Sequence, residues 1–456
     1  MVKLSSIIAI NIFVITVIFY YFWETIKLNW MIFMIVSRGI ISPNRFWWSV
    51  SDLTLKDGSG IEFYRDIKSK YKKKITNHNF FGTKINLLMD SSFIKQLLDK
   101  SPNIFGVGRL KYNFFSSFMS KNLGVSEGKD WKHRRQVNEF ILESDKLHSY
   151  SQHWYNAIKQ IMNKYGKIPS NSDDFTKISK QITMKIVFGD DNINDSIFKV
   201  FSDANSIQAI YGIDITNKES MKEYIKYLKD SIDNPLPYSL VELGTQVENS
   251  KNEMIHQIPH FIFPIVGLVG VSVPRILLLL NNHPKVFKKL IKEIKSINGY
   301  NDVKSIWQLK YLRMCILEML RLNNPVVTSY RTLLVDEYSF DDSEKFKYKK
   351  GDQFVILNNP VLREPEFWKD PDRFIPERWH DSNLEKSYYA IMFNQGPQKC
   401  PGKELAITII SIVVVEIISR IGLLDDSGSI KESYPKIDIN KIPQMINPYS
   451  IRFVYG

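Results

Sequence analysis

Apolar residues recur every three to four positions along most of this chain, the spacing that lays one face of an α-helix against a core. The pattern predicts helices over Trp131–Leu142, Tyr150–Met162, Val286–Ile297, Ile306–Leu322 and Leu405–Leu424. Asn298-Gly299 stops the third of them. Strand-like runs are shorter: Lys84–Met89, Arg331–Val335, Phe354–Leu357 and, after the turn signal Asn447-Pro448, Ile451–Tyr455. Many helices with a few short strands predict a mainly α (α+β) architecture. No repeat and no Gly/Ser-rich or Pro-rich linker divides residues 51–456, so the pattern predicts one large domain there.

The first fifty residues read differently. Leu4–Trp23 carries no charge and is rich in Ile, Val and Phe, and twenty helical residues cover a hydrocarbon layer of about 30 Å. The run is longer than the core of a signal peptide, and no small-residue cleavage site follows it. Tyr20, Tyr21, Phe22 and Trp23 suit a membrane interface. Lys27, Arg38 and Arg45 follow the span while only Lys3 precedes it, which orients the body of the protein towards the cytosol. Leu28–Val36 is too short to cross again and is expected at the interface. Residues 1–50 are therefore read as an anchor with its linker.

Composition narrows the chemistry. Of 456 residues, 44% are hydrophobic and 24% charged, which excludes a disordered or low-complexity chain. Lys and Arg exceed Asp and Glu by 13, favouring an acidic partner. Two cysteines, Cys315 and Cys400, exclude a disulfide framework and any four-cysteine metal site within the chain. Cys315 falls inside a predicted helix and reads as core packing. The eight histidines form no zinc-ligand grouping: His256 and His260 are four apart but lack the glutamate of a metalloprotease helix.

Residues 393–406 concentrate the chemistry: Phe-Asn-Gln-Gly-Pro-Gln-Lys-Cys-Pro-Gly-Lys-Glu-Leu-Ala. A glycine-bearing turn presents Cys400 just before a long apolar helix, whose N-terminal dipole and free N–H groups stabilise a thiolate. Lys399 and Lys403 add positive charge, while Gly396 and Gly402 withhold side chains where a flat cofactor would approach. Taken alone, a cysteine in this setting is more readily a packing residue than an iron ligand or nucleophile. The wider spacing decides. Phe393-x-x-Gly396-x-x-x-Cys400-x-Gly402 resembles the haem-binding loop of the cytochrome P-450 family. Glu318-x-x-Arg321 is similar to that family's E-x-x-R pair, and Arg378 in Phe374-Ile-Pro-Glu-Arg-Trp379 to the arginine completing its charge triad. Trp131-x-x-x-Arg135 resembles the W-x-x-x-R helix, and Arg331 falls where another propionate-binding arginine is common.

The resemblance covers about residues 50–456 and implies a cytochrome P-450 fold, helix-rich with small β-sheets. It implies haem b with Cys400 as axial thiolate. It implies propionate contacts from Trp131, Arg135 and Arg331, with Phe393, Gly396 and Gly402 shaping the loop. Glu318, Arg321 and Arg378 would hold the proximal side. Implied partners are an NADPH-cytochrome reductase-type electron donor, a lipid membrane and a small lipophilic substrate; the anchored eukaryotic type suggests the endoplasmic reticulum. Lys132, Arg134, Lys399 and Lys403 would face the reductase. A nucleic-acid role is disfavoured, because no aromatic–basic recognition motif is present.

Two departures matter. Counting back from His283-Pro284, the family's distal acid and threonine should fall near Gly267 and Leu268, where the sequence has neither. The nearest hydroxyl is Ser272, a turn further on, and Pro264 and Pro274 should bend or break the helix. Positioned proton transfer contributes about 10²–10⁴-fold in rate, so its loss leaves three readings. These are a monooxygenase using water, substrate hydroxyls or Ser272 for protons; a reductase-independent hydroperoxide or endoperoxide isomerase or dehydratase; and a haem-binding sensor without turnover. Gln398 is the second departure: it donates a hydrogen bond but no charge where the family often has Arg or His, so that propionate contact is weakened or is supplied elsewhere, as by Lys399.

Overall fold

Two runs of the sequence that differ in pattern build the middle of the main sheet. Thr83–Leu88 mixes polar and apolar residues yet is buried on both faces from Ile85 to Leu88, whereas Gln353–Leu357 is buried throughout. The computed structural model describes residues 61–420, apart from 72–73, 81–82, 120, 143–144, 167–168, 170–171, 204–217, 249, 298–300, 327 and 342–346. The expected anchor at 1–50 and the expected strand Ile451–Tyr455 lie outside the described residues.

In chain order the helices are α1 (Ile61–Tyr71), α2 (Ser91–Asp99), α3 (Arg109–Met119), α4 (Gly128–Leu142), α5 (Asp145–Tyr165), α6 (Ser172–Thr183), α7 (Asp195–Asp203) and α8 (Lys218–Asp233). There follow α9 (Leu240–Thr245), α10 (Lys251–Gly267), α11 (Val273–Asn282), α12 (Pro284–Ser296), α13 (Val303–Trp307), α14 (Lys310–Leu322), α15 (Asn358–Val361) and α16 (Lys403–Arg420). The strands are β1 (Ile75–Phe80), β2 (Thr83–Leu88), β3 (Phe105–Val107), β4 (Thr328–Leu333), β5 (Glu337–Tyr338), β6 (Tyr348–Lys349) and β7 (Gln353–Leu357). Five of them form a sheet in the order β1-β2-β7-β4-β3, with only the β2–β7 pair parallel; β5 and β6 form a separate ribbon. This is the helix-rich fold with small sheets that the periodicity predicts.

The boundaries show where local pattern was insufficient. The expected helix Ile306–Leu322 is two helices, α13 and α14, separated at Gln308-Leu309. Asp302 caps α13 through the backbone N–H of Ser305. The cap of α14 comes from another helix: the Glu293 carboxylate on α12 accepts from the N–H groups of Tyr311 (2.7 Å) and Leu312 (3.0 Å). No local signal announces such a cap. The expected break at Pro264 does not occur either. Helix α10 runs through Pro259 and Pro264 to Gly267, and a π-helical turn, Leu268–Ser272, leads into α11 with Pro274 in its first turn. Proline there cannot donate to the preceding turn, and widening that turn accommodates the missing bond.

The α10–π–α11 segment, Lys251–Asn282, is the one described helix long and apolar enough to cross a membrane, and 65% of its apolar window is buried inside the protein. It passes through the main core, where Met254, Ile258, Ile262, Val266 and Val269 are fully enclosed. Helix α6 is tied across it by Ser179, whose hydroxyl donates to the Val266 carbonyl at 2.7 Å.

Candidate functional site

The three residues of the expected charge triad meet. Glu318 and Arg321, one turn apart on α14, are both 0% exposed and form a bidentate pair at 2.8 and 2.9 Å. Arg378 joins from the 3₁₀ turn Pro376–His380, its Nε 3.2 Å from Glu318. Every remaining valence is used. Glu318 also accepts from Trp379 Nε1 and the Ile375 N–H. Arg321 donates to the carbonyls of Leu362, Pro371 and Arg373 and stacks over Trp368 at 4.9 Å. Such saturation makes a buried ion pair tolerable and fixes the segment 362–379 against α14. That segment leads into the cysteine loop.

Within the loop, the Cys400 N–H donates to the Phe393 carbonyl at 2.8 Å, closing the turn that presents the thiol three residues before α16. Cys400 is exposed, whereas Cys315 is buried in α14 with its thiol pKa pushed up by burial. Gly396 has φ +71°, and a β-carbon there would lie 2.6 Å from the carbonyl oxygen of Leu98 at the end of α2. The close approach that Gly396 permits in this structure is to the backbone of Leu98 and Asp99. A β-carbon on Gly402 would touch only Leu142, at 3.7 Å.

Helix α4 delivers its basic residues to two places. Arg135 donates to the Lys399 carbonyl at 2.5 Å, beside Cys400, and to Glu139 at 2.7 Å. Trp131, one turn earlier on the same face, is half-buried. Arg134, expected on a reductase-facing surface, is instead buried: it pairs with Glu253 of α10 at 2.9 Å and donates to Ser126. Its neighbour Asn138 donates to Gln257 of α10, so α4 and α10 are locked side by side. Lys132 and Lys399 are exposed, and Lys403 is paired with Glu385 at 2.5 Å.

On α10 and the turn beyond it, His260, Pro264, Gly267 and Val271 retain accessible surface among largely buried neighbours. Their spacing is that of a single helical face. A β-carbon on Gly267 would meet nothing within 4 Å, so the expected distal position opens onto space. The side chain of Leu268 lies outside the described residues. Ser272 is 0% exposed, and its hydroxyl has no hydrogen-bond partner among the described residues, so it points into the core.

The sequence reading placed Arg331 at the site but missed two further interior basic side chains, Lys111 and His260. Arg331 on β4 is buried, and its guanidinium donates to the Ser101 hydroxyl (3.1 Å) and the Tyr330 carbonyl (2.8 Å), with no carboxylate among the described residues to neutralise it. Burial pulls its pKa down to about 10. Lys111 on α3 is drawn down to about 7, by burial first and by Arg331 second. His260 is pushed down to about 4 by burial, with Lys111 and Arg135 adding to the effect. Lys111 and His260 are enclosed by protein yet retain accessible surface, as side chains lining an interior space do. His260 stands out in hindsight as a polar residue inside an apolar run; Lys111 carries no sequence signal.

These features fit a flat iron porphyrin bearing two carboxylates. An exposed thiol sits ahead of a helix N-terminus, a side-chain-free helical position opens onto space, and a buried guanidinium awaits an anion. Trp131, Arg135 and Arg331 would hold the carboxylates, and Cys400 the iron. No grouping of three or more His, Cys, Asp or Glu able to hold a bare metal ion exists among the described residues.

A family model described as Cytochrome P450 matches residues 269–452, a stretch that includes Glu318, Arg321, Arg331, Arg378 and Cys400. The chain is 23% identical to cytochrome P450 71B5 of Arabidopsis thaliana, over 70% of this chain and 73% of that protein. It is 22% identical to cytochrome P450 3A15 of Cavia porcellus, over 66% of this chain and 70% of that protein. Other matches are shorter. Berbamunine synthase of Berberis stolonifera is 28% identical over 31% of this chain and 30% of its own length.

Proposed function

We propose that the chain is a member of the cytochrome P450 family, to whose model and relatives it is similar, and that it inserts one oxygen atom from O₂ into a lipophilic organic substrate, with electrons supplied by an NADPH-cytochrome reductase-type partner. It is an oxidoreductase of the haem-thiolate monooxygenase kind. When bound, the haem would supply the O₂ activation, and Cys400 would hold its iron through a thiolate. The chain's own residues do the rest. Cys400 offers the thiolate from a turn held by the Phe393 carbonyl, and the dipole of α16 steadies its charge. Arg135 and Arg331 bring guanidinium forks to the carboxylates of the porphyrin, with the Trp131 indole as a third donor. The apolar stripe of α10 keeps bulk water from the reacting region.

The observation that carries this reading is the buried Arg331 guanidinium without a carboxylate partner among the described residues, on the same interior region as the Cys400 loop through Arg135. The reading predicts reductase-dependent NADPH oxidation stimulated by a bound lipophile, and substrate-independent inertness towards NADPH overturns it.

A second reading has a specific observation behind it. Gly267 offers no acid or hydroxyl, and Ser272 is turned into the core. A reaction on a ready-made hydroperoxide needs no proton relay to split O₂, so rearrangement without a reductase uses the same site. Rapid consumption of a fatty-acid hydroperoxide in the absence of reductase supports it. Anchoring by Leu4–Trp23 at the endoplasmic reticulum, with residues 51–456 in the cytosol, completes the proposal and rests on the charge asymmetry of the flanking residues.

A further inference from the structure

Helix α12, Pro-Lys-Val-Phe-Lys-Lys-Leu-Ile-Lys-Glu-Ile-Lys-Ser, buries Phe287, Leu290, Ile291 and Ile294 and turns its lysines outward. Lys289 is paired with Glu377 at 2.5 Å. Lys285, Lys288, Lys292 and Lys295 are exposed, have no ion pair among the described residues, and follow one another for about 15 Å along one face. The acid on this helix does not offset them, because Glu293 is turned inward to accept from the N–H groups of Tyr311 and Leu312. Helix α8 shows how a solvated face balances its charge: its lysines are interleaved with Glu219, Glu223, Asp230 and Asp233. On α12 like charges stand three and four residues apart and repel, and an oppositely charged surface laid against them removes that cost.

The place of this face in the fold bears on the chemistry. Glu293 fastens α12 to the first turn of α14, whose first residue, Lys310, is another exposed cation. Arg313, three residues on, pairs with Glu404 at 2.7 Å and with Glu385 at 2.8 Å. Glu404 and Lys403, which also holds Glu385, open α16 directly after the Cys400 loop. Hydrogen bonds and ion pairs thus run without a gap from the lysine face to the helix behind the thiol. The four cations first expected to meet a reductase are meanwhile reduced to Lys132 and Lys399, because Arg134 is engaged by Glu253 and Lys403 by Glu385.

We propose that the outer face of α12, with Lys285, Lys288, Lys292 and Lys295, and Lys310 at the start of α14, is the docking surface for an acidic face of the electron-donating partner. The proposal rests on the monooxygenase reading above, which requires such a partner. Charge complementarity of this kind governs the encounter rate and its salt dependence more than the final affinity. The face therefore acts on the donor's approach and leaves the haem site unchanged.

The test uses the full-length, haem-loaded protein in phosphatidylcholine vesicles with NADPH-cytochrome reductase as the probe. First-electron reduction under carbon monoxide is followed against reductase concentration at several salt concentrations, and binding of the two proteins is measured separately by biolayer interferometry. The combined variant Lys285→Gln, Lys288→Gln, Lys292→Gln, Lys295→Gln is expected to lower the second-order rate of reduction about tenfold at low salt and to flatten its salt dependence. Its carbon monoxide spectrum, haem content and reduction by dithionite should match the wild type. The combined variant Lys222→Gln, Lys226→Gln, Lys229→Gln on α8 controls for net charge and should change the rate by less than about twofold. An unchanged rate in the α12 variant overturns the proposal, as does an equal loss in the α8 variant. An α12 variant whose sole defect is weaker attachment to phosphatidylserine vesicles assigns the face to the membrane and also overturns it. A wild type that binds the reductase through α12 but accepts no electron from it contradicts the monooxygenase reading alone, so the two failures are told apart.

Discussion

The two buried charged regions of this protein are solved in opposite ways. Around Glu318 every charge is answered by the chain itself: two arginines, an indole, a backbone amide and three carbonyls. Around Arg331 and Lys111 the charges are of one sign, burial keeps the nearby His260 neutral, and no acid among the described residues pairs with Arg331. A saturated network is scaffold, because nothing is left to bind a ligand. An unsaturated one has its missing partners elsewhere, which is how burial and charge together point to a binding site.

The same kind of substitution should then act with opposite sign in the two places. Glu318→Ala strands two guanidinium groups and is expected to cost about 3–5 kcal/mol, read as a lowered denaturant midpoint and a loss of soluble protein. Arg331→Leu should leave the haem-free chain about as stable as before, or more so, because it removes an uncompensated cation. The same variant should release haem about tenfold faster, measured by transfer to a haem scavenger. A large loss of stability in the haem-free Arg331→Leu chain would erase the contrast.

A titration sharpens it further. The Lys111 pKa is drawn down to about 7 in the folded chain, against an ordinary value of 10.5. Between those values the unfolded chain holds a proton that the folded chain lacks, so stability of the haem-free protein should rise with pH across that window. A lysine in a salt bridge would give the reverse. Lys111→Met should flatten the slope, as denaturant midpoints at several pH values would record. The smallest effect is expected at Ser272→Ala. Its hydroxyl is buried without a partner, so stability should change by no more than about 1 kcal/mol and turnover should not change.

Much of the scaffold was legible because its signals are local. The 3.6-residue period gave α4, α5, α12 and α16 to within a few residues, and the i, i+3 spacing set Glu318 beside Arg321. The resemblance added Arg378, whose approach to Glu318 no periodicity contains. What could not be read depends on partners distant in sequence. Arg134 and Arg135 are adjacent and chemically alike, yet one is consumed by Glu253 and the other reaches the cysteine loop. Gly396 answers to Leu98, and the start of α14 to Glu293. Strand β1, Ile-Thr-Asn-His-Asn-Phe, lacks apolar alternation and forms through its pairing with β2. Lys111 and His260 meet only because α3 and α10 are folded against each other.

Every functional statement above descends from the sulfur of Cys400. The most direct test is the carbon monoxide difference spectrum of the reduced full-length protein beside that of Cys400→Ser. The account predicts the red-shifted thiolate Soret band in the wild type and its disappearance in the variant with the fold retained. A wild-type spectrum without that band, or a band that survives the loss of Cys400, contradicts it.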